Sequence, residues 1–156
     1  MIQLAEEQFK CKIRQLFLER WGSDFMISRG KKHRVADLES FLYIEDNDIK
    51  GLLTFTIENE AIEIVSLDSF SEGHGVSTAL VAAIIDFYKS GHHKKLWLAT
   101  TNDNTRALRF YQKRGFTITA IHLNAIEDAR KIKPSIPLVG YDGIPILHEI
   151  ELTYSE

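Results

Sequence analysis

Two glycines, Gly73 and Gly75, stand between a segment with strand composition and a segment with helical periodicity. The apolar positions of the second segment recur at helical spacing: Val76, Ala79, Leu80, Ala83, Ile84 and Phe87. The first amides of a helix have no intrahelical acceptor and lie at the positive end of the helix dipole, so a glycine-lined helix start can bind an anion. The chemistry that this arrangement predicts is phosphate binding.

Three interpretations of the glycine turn stay open on its residues alone. A Walker loop requires Gly-Lys-Ser/Thr, whereas Val76 follows Gly75 in this chain. A dinucleotide fingerprint requires a third glycine where Thr78 stands. In the third interpretation the glycines serve only a plain strand, turn and helix, and for a lone Gly-x-Gly this interpretation is favoured.

The elements that must position this turn follow from the pattern of the surrounding chain. Runs rich in β-branched and apolar residues predict a three-stranded antiparallel meander over residues 41–44, 51–57 and 61–67. A helix over 76–90 and a nearly continuous apolar strand over 95–100 come next. Strand, helix and strand together make a βαβ unit, which implies two parallel strands and a right-handed crossover.

The remaining segments complete a mixed α/β pattern. The further predicted elements are, in chain order, an amphipathic helix over 4–20, a strand at 24–28, a polar loop over 29–34, a helix over 104–114, and strands over 116–123 and 146–152. Arg29 in the polar loop is a candidate for lining a substrate site. The connection 124–145 begins with helical character over 125–133 and is a candidate substrate-shaping segment; a surface excursion that only caps the sheet is the alternative.

A second motif lies downstream of the glycine turn. Its pattern is Asn-x-x-Ala-x-x-x-Tyr-x-x-x-Gly-Phe, formed by Asn104, Ala107, Tyr111, Gly115 and Phe116. With the glycine turn, this motif resembles the GNAT acetyltransferase superfamily, whose first motif reads Arg/Gln-x-x-Gly-x-Gly/Ala. The two motifs extend over residues 63–116, about a third of the chain.

The first motif departs from the family pattern at two positions. Gly75 matches the central glycine of the motif, but Glu72 stands where the family has Arg or Gln, and Ser77 stands where it has Gly or Ala. Backbone amides supply a binding geometry that does not depend on side-chain identity, so these departures are compatible with phosphate binding at the turn.

The resemblance implies a GNAT-like fold and a co-substrate. The fold is a central, mostly antiparallel sheet whose parallel βαβ core is splayed to hold acetyl-CoA, flanked by helices. The backbone amides of residues 73–78 would hold the pyrophosphate, Asn104 would contact the pantetheine arm or the helix start, and a backbone N–H near Leu67, where the family's strand bulges, would polarise the thioester carbonyl. The implied cofactor-binding residues are Leu67, Gly73, His74, Gly75, Val76, Ser77, Thr78 and Asn104.

The resemblance also implies catalytic roles. Tyr111 is the expected general acid, because a phenol with a pKa of about 10 keeps its proton at neutral pH and can give it to the departing CoA thiolate. A base is needed as well, since only an unprotonated amine attacks an acyl carbon. Glu63 is the first candidate, because its Glu-Ile-Val run resembles the strand that carries the base, acting through water, in histone-type acetyltransferases. Glu149 and His148 are reserve candidates.

Composition favours one compact enzyme domain over residues 1–156. The chain is 44% hydrophobic and 26% charged, which is ordinary for a globular protein. A net charge of −3 without a basic stripe gives no reason to expect nucleic acid or membrane as a partner. The single cysteine and the charged N-terminus predict a cytoplasmic protein. The six histidines show no metal-ligand spacing, so no metal is expected.

These observations predict an acetyl-CoA-dependent N-acetyltransferase that works by direct transfer in a ternary complex. A small-molecule amine is favoured as the acceptor over a protein N-terminus or lysine, because nothing outside the core suggests a protein-docking element. The alternative from another class is a non-catalytic acyl-CoA sensor of the same fold; the presence of both Tyr111 and Glu63 argues against it. A homodimer is compatible with the sequence.

Overall fold

The computed structural model describes residues 1–71, 73 and 75–155. Within them the chain has a mixed α/β fold, and seven strands belong to one mostly antiparallel sheet, which confirms the predicted fold class. The strands are β1 (Ile2–Leu4), β2 (Phe25–Ser28), β3 (Lys31–Arg34), β4 (Glu39–Glu45), β5 (Asp48–Glu58), β6 (Ala61–Ser69), β7 (Lys95–Thr101), β8 (Phe116–His122) and β9 (Glu149–Tyr154). The α-helices of the described chain are α1 (Lys10–Trp21), α2 (Val76–Ser90), α3 (Thr105–Gln112) and α4 (Ala125–Ile132).

The described chain divides into two compact units. The first unit is Met1–Met26 with His33–Leu96, and the second is Ile27–Lys32 with the described residues from Trp97 onward. The expectation of a single domain stays a prediction.

The first unit contains strands in the order β1, β4, β5, β6, each antiparallel to its neighbour. The predicted meander of β4, β5 and β6 is confirmed. Its two hairpins turn at residue pairs with positive φ, Asp46 with Asn47 and Asn59 with Glu60, as tight hairpins require. The core against α1 is a cluster of five buried residues: Ile13, Phe17, Val35, Leu42 and Leu52.

The predicted first helix begins too early. Residues 2–4 form β1, which pairs with β4 through Ile2 and Tyr43, and a short 3-10 turn precedes α1. The amide of Ala5 donates to the carbonyl of Ser40, so this stretch pairs with the edge of β4 instead of making helical hydrogen bonds. The helix ends as predicted at Gly22, whose φ of 74° suits the αL position after a helix.

The predicted polar loop over 29–34 is wrong. Arg29 and Gly30 adopt positive φ values of 48° and 75°, and Lys31–Arg34 form strand β3 opposite β2. A two-residue turn of this kind favours a hairpin. The strand has no apolar alternation, since His33 is its only buried residue.

The second unit contains strands in the order β7, β9, β8, all antiparallel. Helix α4 confirms the predicted helical start of the long connection. The last strand begins at Glu149 instead of residue 146, because the amides of Leu147 and His148 donate to the side chain of Asn102. Among the described residues, no helix has the length and apolar character needed to cross a membrane.

Candidate active site

The glycine turn leads into α2, as predicted. Gly75 is the N-cap residue with φ of 68°, and Gly73 has φ of 75°. Both are exposed, and no side chain among the described residues caps the helix. A Cβ added at either glycine would meet nothing within 4 Å. Glu72 and His74, the remaining non-glycine residues of the turn, lie outside the described residues.

Gly51 on the neighbouring strand β5 allows the first turn of α2 to pack closely against the sheet. Val76 is buried, and a Cβ at Gly51 of β5 would overlap the side chains of Val76 and Leu80. The absence of a side chain at 51 therefore lets the helix start approach the sheet closely. Ser77 and Thr78 follow in the same turn, half-buried and exposed respectively. An accessible helix start without a side-chain cap from the described residues presents its amides to an anion.

Strand β6 carries a bulge close to the position predicted for it. Thr54 of β5 pairs with Ser66 and the next residue, Phe55, pairs with Ile64, so Val65 is the extra residue. The bulge thus lies two residues before Leu67, which pairs regularly with Leu53. Bulges change the direction of neighbouring side chains, and this bulge lies between Glu63 and the end of the strand.

Glu63 is buried beside a histidine that the sequence prediction missed. The His33 Nε2 atom lies 3.4 Å from Glu63 Oε1, and both side chains are less than a tenth exposed. His33 stands in the Lys-Lys-His-Arg run, for which the sequence predicts a loop; the run is polar throughout, so it contains no alternation that would predict a half-buried strand.

A second buried carboxylate lies five residues along β6. The indole Nε1 of Trp21 donates to Asp68 Oδ2 at 3.0 Å, and Arg20 Nε lies 3.2 Å from Oδ1. Burial raises the pKa of Asp68 above its ordinary value of 3.8, against the opposing effects of Trp21 and Arg20. Asp68 links α1 to the end of the strand that leads into the glycine turn.

Asn104 and Tyr111 belong to the second unit. The Asn104 side chain accepts a hydrogen bond of 3.1 Å from the amide of Ala107, which makes it the N-cap of α3. Tyr111 is buried on the same helix, and its ring makes edge-to-face contacts with Phe110 and Phe116. The second motif therefore builds one helix with a capped start and a fixed phenol.

Glu149 of β9 is held by the turn of the β2–β3 hairpin. Its two oxygens accept hydrogen bonds from the Arg29 backbone amide at 3.1 Å and the guanidinium at 3.2 Å. Arg29 Nε also lies 3.5 Å from Glu151, which pairs with His122 at 2.9 Å. Arg29 is therefore part of an ion-pair cluster in the second unit.

The other reserve base, His148, is partly engaged. Its Nδ1 accepts a hydrogen bond of 2.9 Å from the amide of Asn124, so the lone pair of this nitrogen is already engaged. The Asn102 side chain accepts from the amides of residues 147 and 148 and donates to the Pro145 carbonyl. This asparagine fixes the chain immediately before β9.

The predicted substrate-shaping connection is fixed at several points. Asp103, 2% exposed, accepts from the Tyr141 amide, and any side chain at Gly140 would overlap its carboxylate. Arg130 of α4 donates to three backbone carbonyls, those of Ile136, Pro137 and Ile146. Burial also lowers the pKa of Lys133 at the end of α4. These contacts order a segment with little regular secondary structure.

The described residues thus place the predicted site residues in two groups. The first unit holds Glu63, Leu67, Gly73, Gly75, Val76, Ser77 and Thr78. The second unit holds Asn104, Tyr111, His148 and Glu149. Among the described residues, the buried histidine and aspartates that sequence reasoning missed are His33, Asp68 and Asp103; an isolated histidine or aspartate carries no burial signal in a single sequence.

Comparison with known proteins identifies the family. A family model described as the acetyltransferase (GNAT) family matches residues 2–116. The chain belongs to the GNAT acetyltransferase family. The predicted family membership is therefore confirmed over most of the chain.

A sequence relative and two solved structures are similar to this chain over nearly its whole length. The Bacillus subtilis (strain 168) protein YxbD is 40% identical over 144 residues, covering 92% of this chain and 91% of its own. A GNAT acetyltransferase of Elizabethkingia anophelis with acetyl-CoA bound superimposes with a TM-score of 0.74 at 22% identity, covering 100% and 97% of the two chains. A Bacillus subtilis acetyltransferase in complex with CoA gives 0.72 at 17% identity, with 99% and 97% covered. The solved structures support the GNAT fold.

Proposed function

We propose that this protein transfers the acetyl group of acetyl-CoA to the primary amine of a small molecule by direct transfer in a ternary complex. The observation that carries the proposal is the glycine-lined start of α2, which no described side chain caps, in a chain whose family is that of the GNAT acetyltransferases. The presence of acetyl-CoA or CoA in structures of the same fold supports the co-substrate.

The cofactor site proposed for acetyl-CoA is built mainly from backbone. The amides of residues 73–78 bind the pyrophosphate, since helix-start N–H groups and the positive helix end favour a dianion. The amide near Leu67 polarises the thioester carbonyl. Asn104 contributes through the start of α3, which it caps.

The proposed reaction needs one base and one acid. Glu63 takes a proton from the acceptor ammonium through water, and the free amine attacks the thioester carbon. The C–S bond breaks as the C–N bond forms, and Tyr111 gives its phenolic proton to the departing thiolate. The attacking nitrogen loses its second proton to solvent as the amide forms, so the products are the acetylated amine and CoA. The phenol then regains a proton from solvent, and Glu63 releases the proton it took.

Binding tests the cofactor site separately from catalysis. CoA should raise the melting temperature of the protein, because a ligand that binds the native state stabilises it. Gly75→Val should weaken CoA binding, since a Cβ there meets none of the described residues beyond its chain neighbours within 4 Å but crowds the amides that would face phosphate. Gly22→Val is the matched control: its φ of 74° imposes similar strain, and its Cβ also meets nothing within 4 Å.

Two results would contradict this assignment. An unchanged melting temperature at saturating CoA removes acetyl-CoA as co-substrate. Equal CoA affinity in the parent and Gly75→Val places the phosphates elsewhere.

Tyr111→Phe tests the acid. We expect a rate of acetyl transfer lower by roughly 100-fold or more, the scale of a positioned general acid, with nearly unchanged CoA affinity. The ring contacts with Phe110 and Phe116 survive the substitution, so the loss reports on the hydroxyl. Tyr43→Phe in β4 is the control, and transfer by Tyr111→Phe at the parent rate would remove Tyr111 from the mechanism.

A panel of amines tests the acceptor. Small amines, amino acid derivatives and short peptides with free N-termini are compared by release of the CoA thiol, at equal concentrations. Faster transfer to small amines than to peptides is the expected result. Preference for the peptides would contradict the small-molecule assignment, and an absence of transfer to every acceptor would favour a non-catalytic sensor.

A further inference from the structure

His33 and Glu63 form a buried acid–base pair inside the first unit. The Nε2 to Oε1 distance is 3.4 Å, with side chains 5% and 8% exposed. Within the described residues, His33 Nε2 is buried without a hydrogen-bond partner. Buried polar atoms are nearly always paired, and exceptions call for a reason such as a catalytic role. The Glu63 carboxylate is the group with which the His33 Nε2 atom could exchange a proton.

The neighbouring buried polar groups on β5 and β6 are satisfied in a different way. Thr54 and Ser66 share a hydrogen bond between their hydroxyls at 2.5 Å. Asp68 pairs with Trp21 and Arg20. Hydroxyl groups keep their protons and arginine keeps its charge near neutral pH, whereas a histidine in general can gain or lose a proton there.

The hairpin formed by β2 and β3 places His33 beside Glu63. The Arg29–Gly30 turn sets the register of the hairpin, and β3 alternates so that Lys32 and Arg34 are exposed while His33 between them is buried. A buried histidine contributes less apolar area than an aliphatic side chain, so core packing alone does not explain the choice of residue at this position.

We propose that His33 is a positioning residue for the reaction: it shares through Nε2 the proton that Glu63 takes from the acceptor ammonium. The proton moves from the ammonium nitrogen, through water, to a Glu63 oxygen, and is then shared between that oxygen and His33 Nε2 until it returns to solvent. The pair, rather than the carboxylate alone, is the base. This inference rests on the proposed function, in which Glu63 is the base.

The substitution His33→Gln separates proton sharing from packing. Glutamine keeps a polar group of similar reach but does not bind a proton at neutral pH. We expect kcat to fall by about tenfold or more with an unchanged KM for acetyl-CoA. His92→Gln, at an exposed histidine beyond the end of α2, is the matched control and should leave kcat unchanged.

A double-mutant cycle gives the decisive kinetic result. If His33 acts through Glu63, adding His33→Gln to Glu63→Gln should cause little further loss of kcat. A double variant whose loss equals the product of the two single losses would overturn the proposal, as would parent-like kcat in His33→Gln. Parent-like kcat in Glu63→Gln would overturn it too, because the base would then lie elsewhere.

A spectroscopic measurement keeps the pair testable if the acceptor assignment fails. The nitrogen chemical shifts of the His33 ring, measured by NMR on the full chain at one fixed pH, report which nitrogen carries a proton. We expect the Nε2 shift to change on Glu63→Gln and to stay constant in Glu149→Gln. An unchanged Nε2 shift in Glu63→Gln would overturn the pairing even if no amine were acetylated; absence of transfer with a changed shift would overturn only the proposed function.

Discussion

Two buried glutamates, Glu63 in the first unit and Glu149 in the second, are both candidate bases, and their partners differ. Glu63 faces a histidine at 3.4 Å. Glu149 accepts two hydrogen bonds from Arg29, whose guanidinium stays charged at every accessible pH. Glu149 therefore faces a permanent cation, whereas Glu63 lies beside an imidazole nitrogen.

The comparison of Glu63 with Glu149 shows that burial alone does not identify a general base. Both side chains are less than a tenth exposed, yet one is held by a permanent cation and the other lies beside a titratable group. Charge-assisted hydrogen bonds hold a carboxylate in one orientation. This difference supports the proposal that Glu63 takes part in proton transfer and that Glu149 stabilises the second unit.

Both partners come from the same hairpin. Arg29 occupies its turn and His33 its second strand. Arg29 is a non-glycine residue at φ of 48°, a conformation that persists where the surroundings favour it. Its backbone amide and its guanidinium both bind Glu149, which supplies that stabilisation.

The largest expected effect is on the rate of Glu63→Gln. The substitution keeps the shape of the side chain and removes its basicity, so kcat at neutral pH should fall by roughly 100-fold or more. The rate should recover at high pH, where the amine loses its proton unaided. A pH series of acetyl transfer measures both effects.

One outcome would reverse the roles proposed for Glu63 and Glu149. If Glu149→Gln shows the large loss of rate with recovery at high pH, and Glu63→Gln does not, the roles of the two glutamates are exchanged.

The second effect is on the stability of Glu149→Gln. An amide is a weaker acceptor than a carboxylate, so the Arg29 contacts weaken, and we expect a loss of about 1–3 kcal/mol in the free energy of unfolding. Urea denaturation measures this loss. Arg29→Asn, which tolerates the positive φ of the turn, should add little when combined with Glu149→Gln; full additivity would show that the two residues stabilise the protein independently.

The smallest effect concerns Asp68, a third buried carboxylate. Its folded-state pKa is raised by burial, so its contribution to stability is fully present below the unfolded value of 3.8 and is lost as pH rises through the folded value. The asparagine side chain of the variant Asp68→Asn has no proton to lose in this range.

We therefore expect Asp68→Asn to gain in stability relative to the parent between about pH 4 and about pH 7. Urea denaturation of both proteins at the two pH values gives the difference. A relative loss across this interval would mean that Trp21 and Arg20 outweigh burial, making Asp68 resemble Glu149 in its dependence on fixed donors.

The sequence alone was sufficient to predict the meander of β4, β5 and β6 and the helices α2 and α3. Their signals are local: alternating or continuous apolar runs, turn-forming residues between them, and Asn104 before a helix. The second motif identified Tyr111 because its spacing is specific, and the buried ring on α3 agrees with a fixed position.

The errors occurred where long-range pairing decided the structure. Residues 2–4 have no strong strand signal and became β1 because β4 offered an open edge. His33 lies in a polar run, so its burial depends on a register that only the folded hairpin defines. The Arg29 contact with Glu149 joins residues 120 positions apart, beyond the reach of any local pattern.

The side chains that fix the connection before β9 have a consequence for hydrogen exchange. The amides of Tyr141, Leu147 and His148 donate to the side chains of Asp103 and Asn102, and those of Gly140, Ile144 and Ile146 donate to nearby carbonyls. Amides exchange with solvent only when such bonds open. This stretch should therefore retain its amide protons far longer than its lack of regular secondary structure would indicate, and it should retain them before any acceptor binds.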